Sequence, residues 1–84
     1  MLEFEFHSDP GHGWLKVPRG MVEAVGIKHS ITQYSYQRGS DVYLEEDCDM
    51  PLFVNACKKA GVAVSYKECY SDPTPIRSYQ RYTP

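Results

Sequence analysis

From Leu2 to His7 the chain alternates without a break, with Leu2, Phe4 and Phe6 set against Glu3, Glu5 and His7. Only an extended backbone sorts such a run onto two faces, so the segment predicts a half-buried β-strand. It runs into Ser8-Asp9-Pro10-Gly11-His12-Gly13, where Pro fixes φ and Gly supplies positive φ, the chemistry of a turn. Trp14-Leu15-Lys16-Val17 then predicts the returning strand of a hairpin. A hairpin with one apolar face needs a second layer to cover it.

The rest of the chain can supply that layer. Pro18 suits the first turn of a helix. Met21, Val22 and Val25 follow it on one side, and Gly26 can end it. Ile31 to Gln37 is rich in β-formers, Arg38-Gly39-Ser40-Asp41 reads as a turn, and Val42-Tyr43-Leu44-Glu45 as a second arm. Asp47 and Asp49 offer N-caps for a second helix, and Pro51 fits its first turn. Phe53, Ala56, Cys57 and Ala60 recur at helical spacing before Gly61. Val62, Val64 and Tyr66 alternate as a last strand.

The expected fold is therefore α+β. Residues 1–70 form a single small domain in the order ββαββαβ, a mainly antiparallel five-stranded sheet with two short helices on one face. Residues 71–84, with three of the prolines, are expected as an extended Arg/Tyr-rich C-terminal tail. Phe4, Phe6, Trp14, Leu44, Phe53, Ala56, Val62 and Val64 are the expected core.

Charge and cysteine usage narrow the function. A net charge of −2 counts against direct nucleic-acid binding, which needs a basic stripe. Glu3 and Glu5 interrupt any signal peptide, and no apolar run approaches the roughly 20 residues of a membrane span. Three widely spaced cysteines, Cys48, Cys57 and Cys69, make neither a disulfide framework nor a zinc ribbon. Free thiols in a cytoplasm are expected.

Three groups of residues could carry chemistry. His7, Asp9 and His12 surround the first turn and could act as a base with its orienting acid, as in a small hydrolase. No tightly bound metal and no cofactor is expected, because His7 and His12 lack a third and fourth protein ligand along the chain. Glu45, Glu46 and Asp47 form an acidic run without basic partners, a solvated face or a surface for a basic partner protein. In the tail, an extended chain would turn Arg77, Tyr79 and Arg81 one way, and Arg clamps phosphate while Tyr stacks on bases. Tyr34 and Tyr36, with His7 and His12, complete the candidate ligand-binding set. The seven tyrosines suit a recognition surface or a small sheet, and a homodimer is among the assemblies they would serve.

The stretch from His7 to Val17, Tyr34-Ser35-Tyr36, Tyr43 to Asp49 with Leu52-Phe53, and Ile76 to Tyr82 together resemble a family of short proteins of phages, plasmids and bacterial chromosomes. The resemblance implies a mobile-element setting and brings no catalytic residue with it. In that setting the expected function is a non-enzymatic binding protein. It would inhibit a host defence protein such as a CRISPR effector, or sequester an immune signalling nucleotide, in the host cytoplasm. The alternatives are the small hydrolase built on His7, Asp9 and His12, and a structural module of a virion or plasmid complex.

Overall fold

The computed structural model describes residues 2–84. Its elements run β1 (Leu2–Ser8), β2 (Gly13–Pro18), α1 (Arg19–Ala24), β3 (Tyr36–Arg38), β4 (Asp41–Glu45), α2 (Asp49–Lys59), β5 (Val64–Tyr70), a 3-10 turn (Pro75–Ser78) and β6 (Gln80–Arg81). The strands form one sheet in the order β5-β1-β2-β4-β3-β6. The class is α+β, as the periodicities require, but the sheet has six strands and is mixed. β5 pairs with β1 in parallel, Leu2 opposite Val64 through Ser8 opposite Tyr70. A crossover through α2 returns the chain to the far side of β1, and such a connection produces a parallel neighbour.

The hairpin registers bring Phe6 opposite Leu15, Leu15 opposite Leu44 and Val17 opposite Val42. One sheet face therefore carries Phe6, Leu15, Val17, Val42 and Leu44. Val22 of α1 and Phe53 and Cys57 of α2 close over that face. Both helices end at a glycine with positive φ, Gly26 at 79° and Gly61 at 76°, a conformation a Cβ would resist. Phe53 is fully buried and meets Phe4 edge-on at 5.5 Å between centroids.

Three expectations need correction. The third strand is only Tyr36–Arg38. The residues before it bend back through turns, because Asp49 captures them: its carboxylate accepts Thr32 N–H (3.0 and 3.1 Å), the Thr32 hydroxyl (2.7 Å) and the Ser35 hydroxyl. Asp49 is 1% exposed and is thus a loop anchor, not an N-cap. Residues 71–84 are also no free extended tail. They make the 3-10 turn, add β6 beside β3, and lay Ile76 (1% exposed) against Trp14 and Tyr43 on the face opposite the helices. Trp14 is buried as expected, 3% exposed, but in this second cluster, since it alternates with Leu15. Tyr82 passes the edge of the sheet into the main core, its hydroxyl donating to the Lys28 carbonyl at 2.6 Å. Among the described residues, no helix is long and apolar enough to cross a membrane.

Candidate functional site

The β1–β2 turn is organised by Asp9. Its Oδ1 accepts the backbone N–H groups of Gly11 and His12, each at 3.0 Å. The same carboxylate takes Arg77 bidentately, Nε at 2.6 Å and Nη2 at 2.8 Å. The Asp9 side chain is only 2% exposed. Arg77, then the turn amides, hold its carboxyl well below the usual carboxylate range, against the opposing effect of burial. The sequence marks this turn by its Asp-Pro-Gly chemistry, but the partner that fixes it lies in the C-terminal segment.

That geometry does not assemble a base from His7, Asp9 and His12. Asp9 meets His12 through the backbone, not the imidazole. His7 stands on the sheet face, its Nε2 2.8 Å from Glu5 Oε1 and its ring against Tyr43. Both oxygens of Asp9 are committed to Arg77 and the backbone.

Beside this turn, on the face opposite the helices, lies a cleft of about 360 Å³. Its floor is Trp14, which meets Tyr36 edge-on at 5.8 Å and donates its indole N–H to the Tyr34 carbonyl at 3.4 Å. Arg77 forms one wall, its guanidinium 5.4 Å from the Trp14 ring centroid. Arg81 forms another, 5.0 Å over Tyr36, with Nη1 donating to the Gln33 carbonyl at 2.8 Å. Tyr34, 62% exposed, and His12 stand at the rim. Glu45, Asp47 and Cys48 complete the lining.

The structure thus gathers His12, Tyr34, Tyr36, Arg77 and Arg81 of the expected ligand-binding set. His7 and Tyr79 do not line the cleft. The expected extended run of Arg77, Tyr79 and Arg81 is broken by the 3-10 turn at Pro75–Ser78, which turns Tyr79 away from the arginines. Tyr79 packs on Tyr43 at 5.1 Å, and its hydroxyl accepts from Arg38. Tyr43 is buried enough that its phenol is pushed up to about 12.

The acidic run divides. Glu45 is 7% exposed, and its carboxylate accepts the Asp47 and Cys48 backbone N–H groups at 3.1 and 3.0 Å. It ties the turn before α2 and presents little charge outward. Asp47 is exposed and Glu46 half-buried. Cys48 is exposed, but the neighbouring Glu45, then burial and the other acids, push its thiol up, which disfavours a thiolate nucleophile.

The sequence does not reveal the roles of Trp14, which lines the cleft, and of Asp9, which braces one of its walls. Trp14 alternates like a core strand residue and is 3% exposed, and nothing local says that it lies beneath a cleft. The sequence points to Asp9 as the orienting acid of a base and not as the clamp of Arg77. Comparisons with protein-family models, curated proteins and solved structures find no match to this chain.

Proposed function

We propose that the protein is a non-enzymatic binding protein whose aromatic cleft holds a nucleotide. The observation that carries this reading is a pair of guanidinium groups, each laid on an aromatic ring, at the walls of one cleft: Arg77 on Trp14 and Arg81 on Tyr36. The exposed Tyr34 ring at the rim offers a stacking surface for a base, and arginine N–H groups not engaged elsewhere suit phosphate oxygens. Arg77 keeps its Nη1 uncommitted while Asp9 fixes the rest of the group. Asp47 at the opposite rim is an acceptor for an exocyclic amino group. The cleft volume sits at the small end of ligand sites, which span roughly 300–1,000 Å³. That favours one nucleotide unit over a polynucleotide.

The resemblance to mobile-element proteins sets this binding in the cytoplasm of a host cell, where removing an immune signalling nucleotide would blunt a defence. The rival within the binding class is an acidic surface docking on a basic host protein. The burial of Glu45 weakens it, because Glu46 and Asp47 alone then carry the exposed charge.

Calorimetric titration with a panel of linear and cyclic nucleotides tests the proposal, with chromatography of the nucleotide afterwards. Saturable binding of an unchanged nucleotide is expected, weakened at least about tenfold by Arg81→Ala or Tyr34→Ala, the loss of one charged contact or one stacking face. Glu46→Lys should leave it intact. Conversion of the nucleotide would make the protein an enzyme. No binding across the panel, with capture of a host protein that Glu46→Lys abolishes, would establish the acidic-surface reading instead.

A further inference from the structure

The parallel pairing of β1 with β5 creates a group of donors that no stretch of the chain announces. His7 stands opposite Cys69, and Glu5 opposite Lys67. Residues two apart on a strand share a face, so Glu5, His7 and Cys69 project from the same side. Their donor atoms all lie within 4.8 Å of one another. The His7 Nε2 and a Glu5 carboxylate oxygen already converge at 2.8 Å. None of the three lines the aromatic cleft.

We propose that Glu5, His7 and Cys69 bind one divalent transition-metal ion of borderline softness, with zinc the best fit. A thiolate, an imidazole and a carboxylate form a donor set for zinc or its neighbours and not for calcium or magnesium, which take oxygen ligands. Metal–ligand bonds of about 2.0–2.3 Å in a tetrahedron place the ligand atoms about 3.3–3.8 Å apart. Reaching that spacing needs a modest opening of the His7–Glu5 contact and a closing toward Cys69. The sheet fixes the backbone positions, and Glu5, with a side chain 50% exposed, is free to rotate. Three protein ligands leave a fourth position for water or an anion.

Lys16 lies 3.9 Å from Glu5, and Lys67 stands opposite Glu5 in the β1–β5 register. These cations compete for Glu5, so Cys69 and His7 are the stronger ligands. Metal uptake breaks the His7–Glu5 hydrogen bond and releases the Cys69 thiol proton to solvent as the sulfur–metal bond forms. Binding therefore strengthens as pH rises. The expectation of no metal looks for donors along the chain alone; Glu5 stands beside His7 on β1, and the crossover strand β5 adds Cys69.

Titration of the full, reduced protein with Co²⁺ tests the site, because a thiolate-bound cobalt gives a charge-transfer absorption. A band saturating at one equivalent and bleached by Zn²⁺ is expected. Cys69→Ser should abolish it, His7→Gln should abolish or greatly weaken it, and Cys48→Ser should leave it unchanged. Zinc should raise the melting temperature of the native protein but not of Cys69→Ser, whose metal-free melting temperature stays near native. No band in the native protein, or a band that survives Cys69→Ser or disappears in Cys48→Ser, would overturn the assignment.

Discussion

Replacing Asp49 by alanine separates two roles that the sequence alone confuses. As an N-cap, Asp49 would contribute about 1 kcal/mol, the usual loss for such a residue. As the anchor of residues 27–35, it is the acceptor for three donors, Thr32 N–H, the Thr32 hydroxyl and the Ser35 hydroxyl. Hydrogen bonds to a charged acceptor contribute about 1.5–3 kcal/mol each, and they are not additive when they share one carboxylate. Removing them, while relieving the carboxylate of its burial, should cost about 3–5 kcal/mol. A domain of this length has about 4–12 kcal/mol in total, so Asp49→Ala should lose at least about a quarter of it and, at the low end of that range, unfold. Urea denaturation followed by Trp14 fluorescence measures the loss. Hydrogen exchange locates it, with protection vanishing first around Thr32 and Ser35. A cost near 1 kcal/mol with protection unchanged at those residues would show that the cap explanation suffices and the anchor does not.

Ile76→Ala should cost about 2–5 kcal/mol by cavity formation, although it lies in a segment that reads as a tail; a negligible change in urea midpoint would mean that residues 71–84 do not pack. Phe53→Ala should cost about 3–5 kcal/mol by the same assay. Asp9→Asn should flatten the acid limb of the stability profile. Its carboxyl is held low when folded, so its contribution is complete above the unfolded value of about 4 and is lost as pH falls through the lower folded value. An acid unfolding curve identical to native would contradict the Arg77 pairing. Gly13→Ala should cost about 1–3 kcal/mol, because a Cβ there would collide with the buried Phe6 ring, and normal stability would place Phe6 elsewhere.

Local periodicity explains why much of the fold was legible. β1, β2, β4 and α2 each carry an apolar face written at their own spacing, and turns or glycines bound them. What the sequence hides is pairing at long range. β5 reads as a strand, but nothing in Val64 to Tyr70 says that it lies parallel to β1 instead of extending a hairpin. Ile31 and Tyr34 have strand propensity, yet a carboxylate from the start of α2 outweighs it. Arg77 and Arg81 stand out as candidate ligand groups from their chemistry. Their common cleft with Trp14 does not, because the 3-10 turn and the Asp9 clamp together set their positions. Glu45 looked like a charge among charges; only its two amide partners distinguish it from Glu46.

The Asp9–Arg77 clamp has a kinetic consequence. The two residues are 68 positions apart, and the β1–β5 ladder also joins distant segments. The hairpins close quickly by comparison, because loop closure slows as contacts become less local. The helix-covered core can condense from β1 to α2 while the opposite sheet face still lacks Ile76. During that interval Trp14 and Tyr43 are bare, and the half-finished sheet presents an aromatic surface to any neighbouring chain. The cleft, which has Arg77 and Arg81 among its lining residues, comes into being only when that surface is sealed, so its completion and protection from aggregation should arrive in the same step.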